Sequence, residues 1–426
     1  MLNKRIGLLA LGVLSATQAM ANDQADAKGF VEDSHLNVLA RNAYISRDYK
    51  HGNHDKAEWG QGFLGTFTSG FTQGTVGVGV DAFGIYAVRL GSEGKLSGAG
   101  GIDFFKVGDS GKAAKDIAKA GAAVKFRVSN TVLKYGNQMP ALPVLMYDNS
   151  RLMPESYTGT LLTSKEIEGL ELNVGRFTAE SRKSAEARDT RLKSINVFGG
   201  SYKFTENFSA SLYASDMEDV LRKQYVGMTY SLPLQDKQSL TFDFNGYRTH
   251  LNADYARDVL EIDGQDNKIW SLAATYAFDA HSVTVAYQQS TGETGYQYGG
   301  YANDHGVGDG GNTILLANSY WSDFNAKDER SWQLGYGFDF GAVGIPGLTY
   351  NIAYVRGNNI DDGSGRGRGN EREIYNQAKY VVQSGPAKDL SVRLRGSWLR
   401  VSNNADKYNK EGNEVRVFVD YPINVF

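Results

Sequence analysis

Residues 75–90 read TVGVGVDAFGIYAVRL. Val76, Val78, Val80, Ala82, Gly84, Tyr86, Val88 and Leu90 share one parity, and Gly77, Gly79, Asp81, Phe83, Ile85, Ala87 and Arg89 share the other. Successive strand side chains point to opposite faces, so one face of this strand is apolar and the other mixed. The run is as long as a tilted strand crossing a bilayer, roughly 9–11 residues, plus an overhang. The alternation recurs along most of the chain. It predicts an all-β fold, a closed antiparallel barrel of membrane-spanning strands.

Residues 1–21 read as a cleaved secretory signal peptide. Lys4 and Arg5 form the charged start, Ile6 to Val13 the apolar stretch, and Ala19-Met20-Ala21 the small-residue cleavage site. Residues 22–426 then read as a single barrel domain, with no linker, composition break or repeat of fixed period. No later run approaches the ~18 apolar residues of a helical span. Cysteine is absent, while Gly is abundant (50) and Pro scarce (7). A barrel closes all its backbone bonds on itself and needs no disulfide, and Pro cannot serve a central strand. The 25 Tyr and 20 Phe suit the rings that girdle a barrel at both membrane surfaces. The formal charge is −3, so a nucleic-acid partner is not expected.

Eighteen strands are expected, at 36–47, 59–71, 75–90, 121–129, 131–137, 158–165, 169–180, 193–203, 208–215, 222–232, 238–249, 266–279, 282–290, 330–341, 347–357, 372–383, 390–401 and 413–424. Short connections alternate with long ones, the pattern of periplasmic turns and external loops, and both termini fall in the periplasm. The apolar parity faces lipid, because a midplane Arg or Lys there costs ~2–4 kcal/mol. The polar parity faces a lumen that this many strands cannot fill with their own side chains.

That parity places Lys125 and Arg127 inward, and likewise Lys379, Arg393, Arg395, Glu414, Arg416 and Asp420. The first strand closes against the last and adds Arg41 and Arg47. Arg41, Arg47, Lys379, Arg393, Arg395 and Arg416 thus converge on one inner wall built from strands 1, 16, 17 and 18. Two such charges 6 Å apart repel by ~3 kcal/mol at an effective dielectric of 20, so the cluster is tolerable only where it is wet. Guanidinium forks match carboxylates in bidentate geometry, and several weak sites in a row let an anion enter without trapping it. The competing reading is that Glu414, Asp420 and loop acids simply neutralise these arginines.

The loop 138–157 is proline-rich and apolar, with Pro140, Pro143 and Pro154 among Leu, Val and Met residues. It is expected to fold into the lumen as a constriction, presenting Asp148 and Arg151 to the passage. Ile314-Leu315-Leu316-Ala317 in the loop 291–329 is similarly apolar, and Lys112 to Ala120 reads as a helical turn.

Certain segments are together distinctive: Arg41-Asn42-Ala43-Tyr44 with Arg47-Asp48; Glu58-Trp59-Gly60-Gln61-Gly62-Phe63; Gly79-Val80-Asp81-Ala82; the Pro140–Pro154 loop with Asp148 and Arg151; Glu329-Arg330-Ser331-Trp332; Arg393-Leu394-Arg395; and Arg416-Val417-Phe418-Val419-Asp420-Tyr421-Pro422. Through them the chain resembles the OprD family of outer-membrane carboxylate channels. The resemblance implies an eighteen-stranded substrate-selective porin, a monomer or weak homotrimer, in the bacterial outer membrane. It implies passive uptake of small organic anions along a basic ladder containing Arg393, Arg395, Arg416, Lys379 and Arg151. Within the family the chain looks closest to the subgroup handling aromatic and other monocyclic acids.

Outer-membrane lipid and lipopolysaccharide are the other expected partners, and Gly365-Arg366-Gly367-Arg368-Gly369 is one candidate contact. No cofactor or metal is expected: His51 and His54 lack a third ligand, and the Gly306–Gly311 run occurs once. An outer-membrane enzyme is disfavoured because none of the six His accompanies a nucleophile motif. A non-selective porin is the nearer alternative, distinguished by lacking a one-sided basic wall.

Overall fold

The computed structural model describes residues 24–91, 98–108, 112–189, 191–303, 306–311 and 314–426. The leader expected at 1–21 lies outside them. The main sheet has 19 strands, one of which is a three-residue appendage at 98–100. The other eighteen form the barrel: β1 His35–Tyr49, β2 Lys56–Thr68, β3 Gly77–Arg89, β4 Asp116–Val128, β5 Thr131–Gln138, β6 Ser156–Ser164, β7 Leu170–Ser181, β8 Ile195–Lys203, β9 Phe208–Met217, β10 Leu221–Pro233, β11 Ser239–Leu251, β12 Asp266–Phe278, β13 His281–Gly292, β14 Arg330–Asp339, β15 Leu348–Ile360, β16 Gly369–Val381, β17 Ser391–Val401 and β18 Gly412–Asn424. Each strand pairs antiparallel with its neighbours in sequence, and β18 closes on β1 with Arg41 opposite Asp420. Every expected strand is present. The largest shift is at β4, where the expected helical turn over Lys112–Ala120 is replaced by a Val107–Ala113 bridge and an earlier strand start. The inward alternation of Ile117, Lys119 and Ala123 outweighs the helix propensity of the alanines there.

The parity rule holds at β3. Val78, Gly84 and Tyr86 are exposed on the outside, while Gly77, Gly79, Ile85 and Ala87 are buried inside. Rings gather in two outer belts. Tyr202, Phe204, Phe208 and Tyr230 contact one another near the short-turn end, as do Tyr276, Phe278, His281, Phe338 and Phe340. Phe244, Trp270 and Tyr287, with Trp332 and Tyr354, form the belt toward the long loops. Such belts mark the two membrane–water boundaries. No helix among the described residues is long and apolar enough to cross a membrane.

The interior departs from a uniformly polar lumen. Inward Ile195, Val197, Tyr213, Tyr225, Tyr247 and Ile269 of β8–β12 are buried beneath Leu142, Val144, Leu145, Ile314 and Leu316. The loop after β5 therefore folds inward as expected, and the Ile314–Ala317 run covers the same wall. Farther along, Leu152 and Met153 of that loop pack against Ile45, Ile85, Ala87, Phe105 and Phe418 on the opposite side. The loop spans the barrel because β2 leaves room for it: a Cβ at Gly60 would stand 2.5 Å from Leu152, and one at Gly62 2.2 Å from Met153.

Candidate functional site

The strand register arranges the inner wall of β16, β17, β18 and β1 into rows two residues apart, about 6.6 Å along the strands. From the long-loop end the first row is Tyr375, Ser397, Glu414 and Arg47. The second is Gln377, Arg395, Arg416 and Ile45. The third is Lys379, Arg393, Phe418 and Ala43, and the fourth Val381, Ser391, Asp420 and Arg41. Within these four rows the cations Arg47, Arg395, Arg416, Lys379, Arg393 and Arg41 stand with two carboxylates, Glu414 and Asp420, while Glu373 lies one inward row above and Asp323 of the covering loop is within electrostatic reach of Arg395. The six expected wall residues are therefore brought together on four adjacent strands.

The cations of the outer rows and Arg416 of the second row are paired; Arg395, Arg393 and Lys379 are not. Glu414 accepts from Arg47 Nε at 2.8 Å and from Arg416 at 2.5 and 3.0 Å. Asp420 accepts from Arg41 at 2.7 and 3.3 Å. Arg393 has no carboxylate partner and lies 4.7 Å over the Phe418 ring. Arg395 lies 4.8 Å over Tyr375, and its Nε and Nη2 find no hydrogen-bond partner within the protein. Lys379 is exposed to the lumen. Neutralisation by Glu414 and Asp420 thus accounts for half the wall. Lys379, Arg393 and Arg395 remain without a carboxylate at ion-pair distance among the described residues, interleaved with aromatic faces, and Arg395 Nε and Nη2 are themselves buried.

Asn149 to Arg151 meet this wall. Arg41 donates to Asn149 Oδ1 at 2.9 Å and to the Arg151 carbonyl at 3.0 Å. The half-exposed Arg151 side chain is steered by bonds to the Ile102 carbonyl at 2.7 Å and to Ser150 Oγ at 2.8 Å. Asp148 departs from the expectation. It is 7% exposed, and its oxygens take the Ser150 N–H at 2.6 Å and Lys183 at 3.1 Å, so it anchors the loop instead of facing the passage. A short apolar loop can enter the barrel only if its few polar groups find partners, and Lys183 is that partner.

Lys183, 3% exposed, sits among Asp103, Asp148, Glu155 and Asp309 at 2.7–3.3 Å, tying together four separate loops. Burial alone would depress its ammonium, but Glu155, Asp148, Asp309 and Asp103 hold it well above the ordinary lysine range. Burial pushes the Glu155 carboxyl well up, against the pull of Lys183. Asp148 is held low because Lys183 and Arg151 outweigh its burial. The carboxylates of Glu155, Glu180 and Asp309 lie within 4.8 Å of one another, and Lys183 supplies the positive charge beside them. Sequence reasoning missed this hub, since only the burial of four loops brings its members together.

Lys125 and Arg127 point inward as expected but belong elsewhere, on β4 near the short-turn end. Lys125 pairs with Asp81 at 2.7 Å and donates to the Ser69 carbonyl at 2.8 Å. Arg127 donates to Gln24 Oε1 at 2.8 Å and stacks 4.2 Å over Phe71. Gln24 in turn donates to the carbonyls of Thr72 and Gly74, so these cations hold the N-terminal segment against a turn. At the other end, Glu371 and Glu373 of β16 are buried with Glu329, accepting from Ser322, Asn409 and the backbone of Trp321. The acids fasten the 314–329 loop above the ladder. Arg366 and Arg368 pair with Asp362 at 2.8 Å and Asp328 at 2.9 Å, among external loops.

Comparison with known proteins places this architecture. Residues 28–425 match the family described as outer membrane porin, OprD family. The chain is 43% identical over 433 residues to Porin D of Pseudomonas aeruginosa, covering 96% of this chain and 95% of that one. The solved structure of OccAB1 from Acinetobacter baumannii superposes with a TM-score of 0.88 at 38% identity, covering 95% of this chain and all of the other. OpdK of Pseudomonas aeruginosa, solved with vanillate, superposes with a TM-score of 0.79 at 31% identity, covering 93% of this chain and all of the other.

Proposed function

Because the chain belongs to the OprD family of outer membrane porins, and so is a channel of the bacterial outer membrane and not an enzyme, we propose that it takes up small carboxylate-bearing solutes along the wall of β16, β17, β18 and β1. The carrying observation is that Arg395 and Arg393 stand in consecutive rows with no carboxylate at ion-pair distance among the described residues, Lys379 directly beside Arg393. Arg41, Arg47 and Arg416, paired with Asp420 and Glu414, hold the ends of the path. Arg151 contributes from the constricting loop, which Asp148 fastens. A carboxylate moving down the wall exchanges one fork for the next at ~6.6 Å steps, shorter than the ~8 Å Debye length, so it is never without a counter-charge.

Monocyclic aromatic acids fit the finer detail. Tyr375, tilted against Tyr320 with ring centroids 4.3 Å apart, and Phe418 back the guanidiniums of Arg395 and Arg393, and the partly exposed Tyr320 offers a ring beside them. The vanillate in the related OpdK structure is consistent with that class. Export through a cleaved leader at 1–21 completes the reading, with 22–426 as one channel domain.

Uptake into liposomes carrying the full channel tests this, using labelled benzoate, an aliphatic monocarboxylate, a neutral sugar and lysine. Benzoate is expected to enter fastest and the neutral sugar slowest. Equal rates for all solutes would favour a non-selective porin.

A further inference from the structure

Strands β14 to β17 carry a second set of arginines of opposite parity. Arg356 on β15 pairs in register with Arg372 on β16, which pairs with Arg400 on β17. Arg330 on β14 stands one row nearer the long loops, opposite Asn358. Their strand neighbours Val355, Glu371, Glu373 and Leu399 are buried inside, so these arginines point outward. Arg330, Arg356 and Arg372 are exposed. Among the described residues no carboxylate lies within ion-pair distance of those three, and Arg400 reaches Asn413 Oδ1 at 3.0 Å and Glu411 at 3.6 Å.

The row has a defined level. The next outward row toward the short turns is Tyr354, Ile374 and Trp398, followed by Ile352, Asn376 and Gly396. Trp332 of the upper aromatic belt is opposite Arg356, with its ring 5.4 Å from Tyr354. The arginines therefore stand at the upper membrane boundary, on the side of the long external loops, where lipid headgroups lie. Like charges directly opposite one another across strands destabilise a sheet, and among the described residues Arg400 alone of the four has an acid, Glu411, at ion-pair distance. Forked donors on a flat wall at headgroup depth match tetrahedral phosphate oxygens.

We propose that Arg330, Arg356, Arg372 and Arg400 form a docking surface for the phosphates of an outer-leaflet glycolipid of the lipid A type, whose acyl chains lie over Tyr354, Ile374 and Trp398. The surface is independent of the lumen, and of the Gly365–Gly369 loop whose arginines are already paired.

The test uses the full chain purified in mild detergent and native mass spectrometry of bound lipid. Bisphosphorylated lipid A, its dephosphorylated form and phosphatidylglycerol are the probes. Two variants are compared with the native protein: Arg356→Gln with Arg372→Gln, and a charge-matched control, Lys237→Gln with Lys388→Gln, at the opposite end. Native protein should retain bisphosphorylated lipid A at least about tenfold more than the dephosphorylated form. The arginine variant should lose about tenfold, with the control unchanged. Its benzoate uptake should stay native, which separates this surface from the lumen reading. Equal retention by both variants, equal binding of dephosphorylated lipid, or preference for phosphatidylglycerol would each overturn the assignment. Loss of self-association in the arginine variant with lipid binding unchanged would give the row to a second copy of the chain instead.

Discussion

The inner walls of β16–β1 and β8–β12 share the same alternation yet do opposite work. On β16–β1 the inward positions include guanidiniums, an ammonium, two carboxylates and a few rings, and three of the cations have no carboxylate at ion-pair distance among the described residues. On β8–β12 they include Ile195, Val197, Tyr213, Tyr225, Tyr247 and Ile269, sealed under loop residues, with Lys223 the buried cation among them. One wall carries charge because Glu414 and Asp420 neutralise three of its cations while Lys379, Arg393 and Arg395 stay at least partly exposed. The other is apolar because loops cover it, and that cover pushes the passage toward the charged side. Parity decides which face a residue occupies; what packs over that face decides whether it is lumen lining or core.

The largest expected effect comes from releasing the cover. Lys183→Met strands Asp148 and Glu155 without their ion-pair cation and leaves Asp309 only Arg182, a loss of ~3–5 kcal/mol for a broken buried pair. Single-channel conductance should rise and fluctuate, and the 139–155 loop should become open to protease while the barrel survives. Adding Glu155→Gln and Asp309→Asn should restore part of the loss.

A pH scan probes the same anchor. Glu155 titrates above its unfolded range, so its contribution is full below that range and lost as pH rises through its folded value. Asp148 and Asp309 are held low, so theirs is lost only as pH falls below the ordinary carboxylate range. Between those limits, conductance noise should grow with pH, and Glu155→Gln should flatten the trend.

Gly62→Val presses on the other end of the loop, where a Cβ would stand 2.2 Å from Met153. A cost of ~1–3 kcal/mol is expected, read as a lower unfolding temperature and altered conductance. Smallest of all is Arg127→Gln. It should cost about 1 kcal/mol of stability by loosening Gln24, and leave ion preference unchanged. A change in ion preference there would extend the basic wall to β4 and blur the contrast.

All the strands and the inward facing of the eight candidate residues on them could be read from period-two alternation, because the membrane enforces it along every strand; Arg151 and Asp148 are expected from their loop, and Asp148 turns away. The inward fold of the 138–157 loop was legible from its prolines and aliphatics, which no solvated loop would keep. What was hidden depends on contacts far apart in sequence. Lys183 looks like any loop lysine until four loops close on it. Gly60 and Gly62 look like strand glycines until Leu152 and Met153 need their space. That Arg47, Arg416 and Arg41 are paired while Arg395, Arg393 and Lys379 are not follows from register, which places Glu414 between Arg47 and Ser397 and leaves Arg395 beside Arg416.

The most direct measurement is the zero-current potential under a salt gradient in planar bilayers, for the native channel and for Arg393→Ala with Arg395→Ala. The native channel should prefer anions, and the double variant should lose most of that preference while folding normally. An unchanged potential in the folded double variant would contradict the basic wall as the path.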